Sequence, residues 1–374
     1  MLLALTLLAC SLFDNAPPTI AFELPKATVG GTLAIKPLVE DEDSGVGQVD
    51  LFVDGEFVAR AEDGWQVDTS KLEDGSHDIK VQAYDMAYRT PNMAKWEGVI
   101  TTDNTAPKVT AKPAAARQGQ TMVLWVEIDE EAVHPSALFN ERKVPLFQVK
   151  DSWRGLIGMD LREELGSHKI LIEAPDAVGN VGSLEAEVTV TAGDFTKGGF
   201  IKLTAAQEKA RKNEKAIAKT REVREKAYAH YEASQLWTEP FMQPIDGRVT
   251  SPYGKFRTYS DGKKSYHSGI DLALRRGTPI AAAADGIVLY SAKQAIFGKV
   301  VIVHHGHGVT TSYNHMDELK VKEGAKVKKG DIVGLLGSTG QSTGPHLHWG
   351  LTVAGKAVDP TQWLDPEFWE TLGS

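Results

Sequence analysis

Residues Ser342 to Gly350 read STGPHLHWG, with His346 and His348 two apart just beyond Gly344-Pro345. Side chains on a strand alternate with period two, so an extended HLHW points both imidazoles to one face. Two imidazoles side by side suit a metal site or an acid–base pair, and they equally suit a strand face that merely tolerates them. The surroundings are β-like. GIVLYSA, KVVIVHH, GVTTSYNHM, DIVGLLGS and HLHWGLTV are valine-rich runs punctuated by glycine, consistent with one compact β domain from about Phe241 to the end. Seven of the eleven histidines fall in it (His267, His304, His305, His307, His315, His346 and His348), which places the chemistry there.

The whole chain has 374 residues, more than one ordinary domain needs, and its 42% hydrophobic and 24% charged content can bury real cores. A formal charge of −9 argues against nucleic-acid binding, which calls for a basic face. Cys10 is the single cysteine, so an intramolecular disulfide and a cysteine-rich zinc site are both excluded. No run beyond the N-terminus approaches the length of a membrane span.

The N-terminus, MLLALTLLACS, resembles a bacterial lipoprotein signal. Leu7-Leu8-Ala9-Cys10 forms the lipobox, and the resemblance implies cleavage before Cys10 followed by its lipidation. Ser11 then implies the outer membrane of a Gram-negative cell, facing the periplasm. The departure from the pattern is that no basic residue precedes the apolar run.

The first half repeats itself. DNAPPTIAF from Asp14 is answered by DNTAPKVTA from Asp103, and DGSHDIKVQAYDMA from Asp74 by LGSHKILIEAPDAV from Leu165, both about ninety residues on. Short alternating runs broken by Asp-Gly and Gly-Ser turns read as antiparallel β-sandwiches. These repeats resemble bacterial immunoglobulin-like domains, residues 14–102 and 103–192, acting as a spacer or binding a protein partner or glycan. His77 and His168 recur at equivalent repeat positions, which favours a structural role. From Thr204 the composition changes to a Gly- and Pro-free, Lys/Glu/Arg/Ala-rich run with a capping box at Thr204 and Gln207, read as one long helix in a connector over 200–238. Its apolar stripe is thin. A solvated connector docked along one edge is the expectation, with a helix that binds a partner or shields the active site as the alternative.

Zinc takes nitrogen and oxygen ligands in tetrahedral geometry, and a catalytic site keeps three from protein with a fourth position open. YHSGIDLA offers His267 and Asp271, with Gly269 between them to let the backbone curl. HLH offers a third ligand and a neighbour, and His315 in TTSYNHMD ends another β run that can arrive beside them. Such a set suits a metal hydrolase, the imidazoles moving protons and steadying an oxyanion.

The segment from about Pro244 to Trp363 resembles the M23 (lysostaphin or LytM type) peptidoglycan metallopeptidases. The carriers are SPYGKFR, SYHSGIDLALRRGTPIAAAADGIVLYS, FGKVVIVHHGHGVTTSYNHMDEL, VKEGAKVKKGDIVGLLGSTGQSTGPHLHWGL and KAVDPTQWL. Together with the repeats and the connector, the resemblance makes the expected fold mainly β: two tandem Ig-like sandwiches, a connecting helix, and an all-β, lipoyl-like M23 domain over 241–374. It implies one Zn2+ held by His267, Asp271 and His348, with His315 and His346 catalytic. Zinc-bound water would then attack a scissile carbonyl in the peptide stems of peptidoglycan. The order of general base and oxyanion partner between His315 and His346 stays open.

His304, His305 and His307 read as structural or solvated. GSTGQSTGP lacks the Gly-Lys-Ser/Thr of a phosphate loop. Lys255, Arg257, Lys263, Lys264, Arg275 and Arg276 read as a solvated rim, alternatively one that greets anionic wall polymers. A wall-binding or amidase-activating relative would be expected to lack a ligand, and none is missing. A phosphocarrier with paired histidines would have no use for Asp271 or an export signal.

Overall fold

The computed structural model describes residues 14–373 except Glu62, so Cys10 and its lipobox lie outside the described residues. The chain is mainly β. Contacts divide it into two compact units: residues up to Lys108 with Glu130–Val133 and Pro175–Gly182, and the remainder.

In the first unit, alternation writes the sheet directly. The strand Gly75–Asp85 turns Ile79, Val81, Ala83 and Asp85 inward and every intervening residue outward. It lies second from one edge of an antiparallel sheet ordered Glu56–Arg60, Val46–Val53, Gly75–Asp85, Met93–Thr102. Leu33, Ile35, Trp65 and Val67, from the pair Thr32–Ile35 and Trp65–Asp68, close its core.

The sequence repeat returns as a repeat of hydrogen bonds. Asp85 Oδ1 accepts from Ala87 and Asn92 N–H groups, and Asp176 Oδ1 from those of Val178, Gly179 and Asn180. Asn92 Nδ2 reaches the Asp14 carbonyl as Asn180 Nδ2 reaches that of Asp103. His77 and His168 each donate Nε2–H to a carbonyl four residues back, at 2.7 Å, a structural task as their repetition suggested.

In the second unit, the strand Gly298–Gly306 explains a run that is apolar without alternation. Val301 and Val303 belong to the main core, whereas Val300 and Ile302, on the opposite face, pack with Ala227 of the connector. Both faces are covered, so both carry valine and isoleucine. The strand sits inside an eight-stranded antiparallel sheet. Its order is Arg248–Ser251, Ile270–Ala273, Leu347–Val353, Val309–Met316, Gly298–Gly306, Gly286–Gln294, Lys326–Val327, with Lys356–Val358 beside Leu347–Val353.

The connector corrects one expectation. It is two helices, α1 (Ala205–Arg211) and α2 (Glu214–Tyr228), and the connector past Ala229 is not helical. The Thr204–Gln207 capping box forms as expected. Asn213 then breaks the run, because its side chain accepts from Ala216 N–H at 3.1 Å and caps a new helix start. None of the helices among the described residues is long and apolar enough to cross a membrane.

The second repeat is continuous with the core of the C-terminal sheet. Val123 and Leu156 of its strands Thr121–Ile128 and Ser152–Gly158 share one buried cluster with Trp237, Ile270, Tyr313 and Trp349. Trp363 Nε1–H donates to Thr121 Oγ1 and Trp125 Nε1–H to the Thr371 carbonyl, both at 3.0 Å. At the centre stands Arg154, with no exposed surface.

Candidate metal centre and its histidines

Register assembles the site. Asp271 pairs directly with His348 across the strands Ile270–Ala273 and Leu347–Val353, and His348 pairs with Asn314 on its other side. His267 is delivered by the turn before Asp271. That turn needs Gly269, since a Cβ there would stand 2.3 Å from the Trp349 carbonyl oxygen. Three ligand-type atoms converge: His267 Nε2 and Asp271 Oδ1 at 2.8 Å, His348 Nδ1 and Asp271 Oδ1 at 3.0 Å, and the two nitrogens at 2.8 Å. All three residues are buried.

The donor set fits a small cation. His267 donates Nδ1–H to the Pro252 carbonyl at 2.9 Å, so its neutral ring aims the Nε2 lone pair at the Asp271 carboxylate. Acceptor then faces acceptor, a repulsive arrangement that a cation reconciles. Bonds of about 2.0–2.1 Å in tetrahedral zinc geometry separate ligand atoms by about 3.3 Å, so a few tenths of an ångström of outward movement would seat it. Burial pushes the Asp271 carboxyl up, but when His267 and His348 are protonated their hydrogen bonds and charge outweigh it and hold the group well below the ordinary range. Burial pulls His348 down to about 4, aided by the charges of His267 and Arg224.

The two other predicted histidines share the groove. His346 donates Nδ1–H to the Gly344 carbonyl at 2.9 Å and brings Nε2 to 3.7 Å from Asp271 Oδ1. His315 donates Nδ1–H to the Thr339 carbonyl at 2.8 Å, leaving Nε2 for a proton. Burial, then His346 and His348, lower its pKa to about 3. The two rings lie 4.9 Å apart. All five residues thus line one groove of about 580 Å³.

Two structural findings were not read from the sequence, and a third was there only as the alternative. Arg257, assigned to the solvated rim, instead donates to Asp271 Oδ2 at 2.8 Å and to Ser251 Oγ at 2.6 Å, so it orients the carboxylate. Its place in SPYGKFR, just ahead of the first ligand motif, was the available signal. Asn314, fully buried, donates Nδ2–H to the His348 carbonyl at 2.9 Å. Helix α1 reaches the groove, where Gln207 donates to the Ser342 carbonyl and Arg211 pairs with Asp261 at 2.7 Å, so the connector walls the site at one end.

His304, His305 and His307 are buried rather than solvated. His305 donates Nδ1–H to the Asp285 carbonyl and accepts at Nε2 from Thr311 Oγ1, and His307 stacks on Phe147 with ring centroids 3.9 Å apart. The first unit also holds two clusters of three acidic residues, Asp14 with Asp41 and Asp85, and Asp103 with Glu130 and Asp176.

Residues 265–360 match the model of peptidase family M23. A DD-carboxypeptidase/endopeptidase of Neisseria meningitidis serogroup B is 38% identical over 113 residues, 30% of this chain and 26% of that protein. The peptidoglycan DD-endopeptidase ShyA of Vibrio cholerae is 37% identical over 119 residues, 31% and 28% of the two chains. An uncharacterized metalloprotease of Haemophilus influenzae is 43% identical over 115 residues, 30% and 24%. The chain therefore matches 24–28% of the length of these curated relatives. Among solved structures, a Pseudomonas aeruginosa protein assigned to peptidase M23 aligns at 26% identity and TM-score 0.48, covering 66% of this chain and 93% of that one. The C-terminal part of this chain is a peptidase family M23 domain.

Proposed function

We propose that the chain is a zinc-dependent endopeptidase that hydrolyses peptide cross-links of peptidoglycan, with His267, Asp271 and His348 holding the metal. The carrying observation is the convergence of His267 Nε2, Asp271 Oδ1 and His348 Nδ1 within 3.0 Å of one another. Two further histidines, anchored through Nδ1, stand beside them. Relatives named as DD-endopeptidases support a D,D-cross-link as the substrate.

Zinc bound there would acidify a water molecule and polarise the scissile carbonyl. His315 and His346, each with Nδ1 committed to a carbonyl, present Nε2 to the groove; between them they take the proton of the attacking water and steady the oxyanion. Arg257 fixes Asp271, and Pro252 fixes the His267 tautomer. Envelope location follows from the substrate, and anchoring through lipidated Cys10 belongs to the same proposal, with the repeats as a spacer.

The test is digestion of purified sacculi by the full chain, with and without a zinc chelator, and products identified by mass spectrometry. A fragment starting at Gly193 is unsuitable because it lacks Val123 and Leu156 of the shared core. Chelator-sensitive loss of cross-linked muropeptides is expected. A folded, zinc-loaded chain that cleaves nothing would favour the wall-binding or amidase-activating reading.

A further inference from the structure

The backbone at His315 is irregular. Lys299 pairs with Met316 and Val301 with Tyr313, so Asn314 and His315 together stand opposite Val300 as a bulge. His315 has φ +63°, a left-handed conformation that a residue with a Cβ adopts only when its surroundings impose it. Bulges beside functional sites re-aim side chains, and this one turns His315 into the groove. On the site side its N–H donates to the Phe297 carbonyl at 2.9 Å, and its ring is tied to Thr339.

A second set of bonds holds the bulge from behind. Arg224, on α2, donates from Nη1 to Asn314 Oδ1 at 3.2 Å and to Gln294 Oε1 at 3.1 Å, and from Nη2 to Ser312 Oγ at 3.3 Å. Its guanidinium lies 3.9 Å over the ring of Phe297, which itself lines the groove. Asn314 passes the contact on to the His348 carbonyl at 2.9 Å. One side chain of the connector therefore grips Asn314, the bulge residue next to His315 that is also bonded to the His348 carbonyl, and Phe297, the aromatic whose carbonyl holds the His315 N–H. A planar fork with several fixed donors suits this task, whereas a lysine would have to reach all three acceptors from one nitrogen and has no planar face to lay over Phe297.

We propose that Arg224 is a positioning residue for His315, which makes helix α2 a part of the catalytic apparatus rather than a connector alone. This rests on the endopeptidase reading for its activity readout, but not for its structural one.

The experiment compares full-length, zinc-loaded wild type with Arg224→Ala, Arg224→Lys and Arg221→Ala, the last an exposed arginine on the same helix. Expected for Arg224→Ala is a fall in kcat of about 10- to 100-fold with KM little changed and zinc still at one equivalent, as for loss of an orienting partner. Arg224→Lys falls between, and Arg221→Ala matches wild type. Independently of turnover, the His315 Nδ1–H proton, sheltered by Thr339, gives a slowly exchanging downfield resonance in histidine-labelled wild type that broadens or disappears in Arg224→Ala. An Arg224→Ala protein with wild-type kcat overturns the proposal, as does one whose activity loss merely tracks loss of zinc. Should wild type cleave nothing, the endopeptidase reading fails, and the resonance alone decides: if it persists unchanged in Arg224→Ala, the positioning role falls.

Discussion

Arg154 offers the sharpest test of how the second sandwich and the M23 domain are joined. Its guanidinium donates to the Leu372 carbonyl, to Gln235 Oε1 at 2.6 Å and to His307 Nδ1 at 2.9 Å, between the indoles of Trp125 and Trp237. Burial lowers its pKa to about 10 from the ordinary arginine value. At about 1.4 kcal/mol per tenfold, that fall costs roughly 3 kcal/mol. Three bonds from a charged donor return roughly 1.5–3 kcal/mol each, so the arginine is net favourable by a few kcal/mol. Arg154→Met removes the desolvation cost but strands three acceptors, two of them buried and the Gln235 amide half-buried, at about 1–3 kcal/mol each. A net loss of about 3 kcal/mol is expected, which in a unit of this size lowers the melting temperature by about 6–12 °C. Differential scanning calorimetry of the zinc-saturated full chain measures it: the transition of the second unit should move while that of the first stays. A variant as stable as wild type, or more so, would show that the buried arginine is a burden its bonds do not offset, and would refute the reasoning.

His348→Ala should abolish stoichiometric zinc and cleavage together; cleavage surviving with zinc lost would remove His348 from the site. Arg257→Gln frees Asp271 from its orienting partner, and zinc affinity measured by competition with a chelating dye should drop about 10- to 100-fold. Gly269→Ala drives a Cβ toward the Trp349 carbonyl, so calorimetry should show a loss of about 1–3 kcal/mol from overpacking, with weaker zinc binding alongside. Burial lowers His305 and His307 to about 4, against an ordinary 6.5. Between those values the unfolded chain binds more protons, so unfolding free energy rises with pH there. Stability present above pH 6.5 is lost as pH falls toward 4, by up to about 3 kcal/mol for each ring, and His305→Gln should flatten the slope in urea melts across that window.

The five residues of the candidate site were legible because each sits in a short motif whose chemistry is local. HSGID carries two candidate ligands and the glycine that lets them converge, and HLH places two imidazoles on one face by strand period alone. The Thr204 capping box and the ninety-residue repeat were legible for the same reason, since a cap or a turn is specified within a few residues. Arg257 was misread because its role depends on a partner fourteen residues on, across a hairpin. The single connector helix failed because Asn213 resembles any other polar helix residue until its side chain is seen to cap.

Sequence by itself determined the β periodicity, the repeats, and the identity of the residues able to hold a metal. Only the tertiary structure decided that Arg224 lies against Asn314, ninety positions away, and that Arg154 reaches His307 across 153. Strand period and capping are set by neighbours in the chain, whereas a buried guanidinium finds its acceptors only after sheets and helices have closed over it. No local pattern encodes that closure, because its favourable terms arise from excluding water around groups that the chain keeps far apart.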